Sequence, residues 1–199
     1  MLSQLRPAVV LLALLTLLTG LVYPLLVTFV AQIALPTQAN GGLIERGGKF
    51  VGSELIGQNF ISPRYFHGRP SATSAPDPAD ASKTVDAPYN AGNSSGSNLG
   101  PTSKKLIDRV NAAIEAEIDA GRTDGFAADA VTTSASGLDP HISPQYALAQ
   151  VAGVAKARGL SEARVRSLVE THLENRVAGL IGELRVNTLL LNLDLDALE

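Results

Sequence analysis

The chain has 199 residues, 16 Lys+Arg against 19 Asp+Glu, a formal charge of -3 and no cysteine, which excludes a disulfide framework, thiolate metal sites and a cysteine nucleophile. The mildly acidic balance (pI ≈ 5.6) lacks the basic footprint that nucleic-acid binding needs. A mean hydropathy of +0.15 beside 18 Gly and 11 Pro requires one segment to carry a hydrophobic excess.

That segment is the N-terminus. No charged residue occurs between Pro7 and Ile44, and Ala8 to Leu35 is almost wholly apolar. As a helix, residues 8–35 would extend about 42 Å, against the roughly 30 Å of a bilayer core. A cleaved signal peptide is the competing reading, but its apolar region runs about 7–15 residues and ends at a small-residue site. The best triplet here, Thr37-Gln38-Ala39, fits that poorly. A retained span is therefore expected, with a kink at Pro24, which removes a backbone donor. Tyr23 lies too deep for an interfacial anchor and is expected to pack on a neighbouring helix. Arg6 and the amino terminus precede the span, so the positive-inside bias puts residues 1–7 in the cytoplasm and a domain of residues 40–199 outside. Thr16, Thr19 and Gly20 are small enough for close helix approach.

Beyond the span, enough chain remains for one modest core. LIER and KFVG flank Gly47-Gly48, which predicts a β-hairpin. Residues 71–103 are rich in small and polar side chains and read as a long irregular segment. Leu106, Val110, Ile114 and Ile118 recur every fourth residue, predicting a helix opened by Pro101 and closed by Gly121. A second helix is expected from Ser143 as N-cap and Pro144 to Gly159, with an inner face of Ala147, Val151, Val154 and Ala155. A third begins at Ser161, carries Val165, Leu168, Val169 and Leu173 inward, and weakens near Gly179. The apolar run Val186 to Leu193 reads as a strand buried on both faces. One membrane helix followed by a single α+β domain, with a small sheet and about three helices, is the expected fold.

Catalytic constellations are sparse. GSNLGPTSK has the glycines and lysine of a phosphate loop at the wrong spacing. There is no G-x-S-x-G elbow and no S-x-x-K with a K-T-G partner. His67, His141 and His172 form no H-E-x-x-H pattern, so no metal site and no catalytic residue is assigned. Two loops stand out. Residues 90–101, NAGNSSGSNLGP, could aim backbone N–H groups at an anion ahead of a helix, or be a plain solvent loop. Residues 132–144 bring Ser136, Asp139 and His141 close in sequence, which suits a hydrolytic site or an ordinary turn and helix start. In the first of these loops Gly96 and Gly100 are expected to supply backbone angles closed to other residues.

The strings YPLLVTFVAQ, QANGGLI, GSELIGQNF, YFHGRPSA, NSSGSNLGP, SGLDPHISP, QVAGVAKARGL and RVNTLLLNLDLD, in this order, resemble the C subunit of the bacterial Kdp-type potassium-transporting P-type ATPase. The resemblance covers nearly the whole chain; Ser95 stands where that family commonly has a second glycine. It implies an accessory, non-catalytic subunit in the bacterial inner membrane. Its implied partners are a potassium-channel-like subunit, a P-type ATPase subunit and a small single-span peptide. It also implies a catalytic-chaperone role that raises the ATPase subunit's affinity for ATP. No tightly bound cofactor follows; the carried-over nucleotide or partner contacts are Ser94, Ser95, Gly96, Ser97 and Gln150. From the residues alone, the span holds no ionisable group and no filter-like loop, and the chain lacks the Asp-Lys-Thr-Gly motif of P-type pumps. Conduction and unaided ATP hydrolysis are therefore not expected. A membrane-anchored periplasmic hydrolase using Ser136, Asp139 and His141, and a tethered binding module, are the other two readings.

Overall fold

A single apolar helix, α1 (Leu5–Ala34), opens the computed structural model, which describes residues 2–123 and 125–198. Its 30 residues are long and apolar enough to cross a membrane, and none of the most apolar stretch is buried by the rest of the chain. Pro24 can neither donate to the Gly20 carbonyl nor leave it room. The helix responds with a π turn at Leu18–Val22, where the Tyr23 N–H bonds back to Leu18 O, five residues earlier. The expected disturbance at Pro24 therefore takes the form of a widened turn just before it.

The chain divides into two compact units, Met1–Ser53 and Glu54–Glu199. The first unit closes with a hairpin of β1 (Leu43–Arg46) and β2 (Lys49–Ser53). Gly47 (φ +58) and Gly48 (φ +74) occupy the two left-handed positions of a tight turn, as Gly-Gly between two extended runs predicts. Arg46 pairs with Lys49, and the register slips by one at Ile44/Glu45.

The second unit holds the core. The expected irregular segment contains a two-stranded antiparallel ribbon, β3 (Ser74–Pro76) with β4 (Thr84–Asp86). Helix α2 (Lys104–Asp119) follows, then the short α3 (Ala128–Val131). Ser103, not Pro101, stands immediately before α2, so the expected proline start is displaced by three residues. Its end matches expectation. Gly121 (φ +79) donates to Ile118 O and Arg122 to Glu117 O, the paired bonds that satisfy a helix's last carbonyls.

Strand β5 (His141–Ile142) leads into α4 (Pro144–Arg158). Local chemistry fixes both ends of α4: Ser143 Oγ accepts from Tyr146 N at 3.0 Å, and Gly159 turns left-handed at φ +68. Its face of Ala147, Val151, Val154 and Ala155 is at most 3% exposed. These short side chains let α5 (Glu162–Thr171) approach closely, bringing Val165 and Val169 into the same core. Helix α5 stops at Thr171, well before Gly179, and Leu173 belongs to the edge strand β6 (Leu173–Glu174). Strand β7 (Arg185–Asn187) pairs antiparallel with β5 on one side and β6 on the other.

The expected strand over Val186 to Leu193 is corrected here. It lasts only to Asn187, whose side-chain oxygen accepts from Leu189 N and Leu190 N and starts α6 (Thr188–Asp196). Thr188, Leu191, Asn192 and Leu195 are each at most 3% exposed and follow the i, i+3, i+4, i+7 spacing of one helix face. A strand would have left Asn192 without the partner described below. Among the described residues, three small sheets and several helices make an α+β fold.

Candidate functional site

The two loops singled out in the sequence lie against each other. Ser95 N–H and Ser94 Oγ both donate to Ser136 O at 3.0 Å. A Cβ added at Gly96 would come within 2.7 Å of Ala135 O, and one at Gly137 within 2.7 Å of Ser95 O. Gly96 is thus required by backbone approach, not by a left-handed angle, and Gly100 is constrained by neither. That corrects the expectation for both glycines. The left-handed positions in these loops are instead Asn98, at φ +50, and Gly137, at φ +67.

Hydroxyls stitch this junction to the segment before it. Ser71 Oγ donates to Gly137 O at 2.7 Å and accepts from Tyr89 N at 3.0 Å. Thr73 Oγ1 donates to Ala87 O at 2.6 Å and accepts from Asn90 N at 3.1 Å.

A cleft of about 530 Å³ opens beside the junction, lined by Ser95, Gly96 and Ser97 with Asp86, Lys105 and Arg109. Lys105 and Arg109 sit one turn apart on α2 and share a face. Lys104, by contrast, is paired with Asp108 at 2.8 Å. The Arg109 Nε is buried without a hydrogen-bond partner. Two hydroxyls, a close-packed glycine and two cations can hold an anionic group of phosphate or carboxylate type.

Gln150 lies elsewhere. It lines a separate recess of about 170 Å³ with Tyr65, His67 and Arg122. It is 2% exposed, and both of its amide atoms are engaged: Oε1 accepts from His67 N at 2.8 Å and Nε2 donates to His67 O at 3.2 Å. Asn192 treats the preceding residue alike, accepting from Phe66 N at 2.8 Å and donating to Phe66 O at 2.9 Å. The two carboxamides clamp consecutive peptide units, so that Phe66 is inserted fully into the core.

Residues 5–197 match the family model described as KdpC: K+-transporting ATPase, c chain. The chain belongs to that family. It is similar to the potassium-transporting ATPase KdpC subunit of Rhodopseudomonas palustris strain BisB18, 61% identical over 197 residues, 99% of each chain. The subunit of the same name from Methylobacterium nodulans is 60% identical over 198 residues, covering 100% of this chain and 98% of the relative. That of Bradyrhizobium diazoefficiens is 56% identical over 196 residues, 98% of each.

In this KdpC-family domain, Ser136, Asp139 and His141 do not assemble as a nucleophile, base and orienting acid. Ser136 Oγ accepts from Leu138 N at 3.2 Å and lies 3.4 Å from Ser134 Oγ. His141 Nδ1 faces Asp139 at 3.6 Å and its Nε2 faces Glu174 at 3.7 Å. Asp139 also accepts from His141 N at 3.0 Å and pairs with Arg69 at 3.0 Å. Partial burial works to raise the Asp139 pKa, but the hydrogen bonds from His141 and Arg69 outweigh it and hold the carboxyl below its usual range.

Arg69 is placed by Tyr89, whose hydroxyl donates to Arg69 O at 2.7 Å. Burial, reinforced by the Asp139 charge, pushes the Tyr89 phenol up to about 12. Nearby, the buried Glu117 pairs with Arg122 and accepts from the Tyr146 hydroxyl at 3.2 Å. The Glu117 hydrogen bond raises the Arg122 pKa further.

Sequence reasoning passed over Lys105 and Arg109. The available signal was their i, i+4 spacing on a helix directly after the small-residue loop.

Proposed function

We propose that the chain is a non-catalytic subunit of an ATP-driven potassium importer, anchored in the bacterial inner membrane by α1 with its N-terminus in the cytoplasm. Its partners are a channel-like subunit, a P-type ATPase subunit and a small single-span peptide; its role is to assist their assembly and raise the ATPase subunit's affinity for ATP. One observation carries the non-catalytic reading: the polar groups that resemble a hydrolytic set are spent on structure. His141 stands between two carboxylates, Ser136 caps its own turn, and Asp139 fixes Arg69. Helix α1 supports the assembly role. An added Cβ at Gly20 would meet nothing within 4 Å, so the Thr16–Gly20 face is open to another helix. Arg6 before the span supports an extracytoplasmic domain. From that side, ATP affinity changes through the partner's conformational equilibrium rather than by contact.

A second reading rests on the cleft. Lys105 and Arg109 beside Ser95–Ser97 suit a phosphate, which would place ATP at this subunit and the domain in the cytoplasm. Ala81→Cys decides between the two, because Ala81 is exposed and the chain has no native cysteine. Labelling by an impermeant thiol reagent in cells with a permeable outer membrane and an intact inner one is expected. Labelling only after the inner membrane is opened would overturn the extracytoplasmic placement and favour direct nucleotide contact.

A further inference from the structure

The stretch between β6 and β7 forms an apolar tip closed by its own backbone hydrogen bonds. Val177 N–H bonds to Ile181 O at 2.9 Å, while Leu180 and Ile181 both donate to Val177 O at 3.1 Å. Ala178 (φ +53), Gly179 (φ +74) and Gly182 (φ +91) are left-handed, and a non-glycine at such an angle needs surrounding structure to hold it there. Arg176 and Glu183 close the base at 3.1 Å. The tip presents Leu180 at 83% exposure, Ile181 at 70%, Val177 at 65% and Leu184 at 46%. Elsewhere in this unit the exposed large apolar residues, Leu55, Ile61, Val85, Ile107 and Ile118, are scattered along the chain. Single exposures of that kind are ordinary; four within eight residues, three of them on one hydrogen-bonded turn, mark a docking surface.

The charge around the tip selects the occupant. Interfacial membrane elements carry free Lys or Arg beside their apolar residues, to meet anionic headgroups. Here Arg176 is paired with Glu183, and Arg185 with Glu174 at 2.7 Å, so the rim is electrically balanced. We infer that the Val177–Leu184 tip docks into an aliphatic recess on another chain of the same potassium-transporting ATPase, a surface apolar at its centre and without a strong field of either sign. The inference rests on the accessory-subunit reading above and adds the contact surface to it. A turn already closed by its own hydrogen bonds loses little conformational entropy on docking, which suits an anchor residue such as Leu180.

The test uses the full chain co-expressed with the other ATPase chains. A photo-crosslinking side chain at Leu180 is expected to form an adduct with one of those chains. The double substitution Leu180→Asp, Ile181→Asp is expected to lower recovery of the complex roughly tenfold or more. Because both side chains project from the core, the melting temperature of the isolated chain should not move. Undiminished recovery of the double variant, where the unmodified chain does recover the ATPase, overturns the docking surface alone. An adduct only with lipid, or only with a second copy of this chain, also overturns it. Failure of the unmodified chain to recover any ATPase chain overturns the accessory-subunit reading, and this inference with it.

Discussion

Replacing Gln150 separates a structural role from a nucleotide contact. Gln150→Ala removes both hydrogen bonds to His67 and leaves that residue's N–H and C=O facing the vacated space. Each unsatisfied buried polar group costs about 1–3 kcal/mol. Because His67 is only partly buried and the recess beside it admits water, the lower part of that range applies to each group. The expected loss is about 2–4 kcal/mol. For a domain of this size each kcal/mol shifts the midpoint by roughly 2–4 °C, so the thermal midpoint of the full chain should fall by about 5–15 °C. Gln150→Glu keeps the acceptor for His67 N but sets a carboxylate oxygen against His67 O. It should destabilise comparably or more at neutral pH and recover partly in acid, where the carboxyl can donate. The assays are thermal unfolding of the full chain and the ATP Michaelis constant of the assembled complex. A raised Michaelis constant in Gln150→Ala with the midpoint unchanged would refute the clamp and show that this side chain meets nucleotide.

Two further outcomes follow from the Tyr89 slot and its neighbours. Gly68→Ala drives its Cβ into the Tyr89 hydroxyl, and Gly57→Ala meets both the Tyr89 ring and Asp139 O, the latter at 2.8 Å. Each should cost about 1–3 kcal/mol in urea unfolding. Tyr89→Phe should partly rescue Gly68→Ala but not Gly57→Ala, and additive double variants would count against the slot. As to pH, the depressed Asp139 carboxyl contributes stability that is complete above the usual carboxylate value near 4 and lost as pH falls through its lower native value. The raised Tyr89 phenol acts at the other end: its contribution is complete below about 10 and lost between about 10 and 12. Asp139→Asn should flatten the acid limb of urea midpoint against pH. Tyr89→Phe should flatten the alkaline limb. A limb that keeps its slope in the corresponding variant disproves that assignment.

Helix α4 shows how much a local sequence can specify. Ser143, Pro144 and Gly159 each act within four residues of where they stand, on a bare backbone donor, a fixed φ and a left-handed stop, so both ends were readable. The hairpin turn at Gly47-Gly48 and the length and apolarity of α1 are local in the same sense. Residues 186–193 behaved differently. An apolar octet satisfies strand and helix alike, and the choice fell to Asn187, which caps α6 and also donates to Glu54 O at 2.7 Å across 133 residues of sequence. The candidate site is still less local. Its loops were each visible as small-residue motifs, but their contact through Ser95 and Ser136, and the cleft that brings Lys105 and Arg109 to Ser97, exist only once the chain has closed on itself. Sequence alone determined the membrane-length helix, the family, both ends of α4 and the Gly121 stop of α2, because these depend on hydropathy and on backbone chemistry within a turn. The tertiary structure decided the use of Gln150, the reason for Gly96 and the fate of the C-terminal run, because each depends on a partner far along the chain.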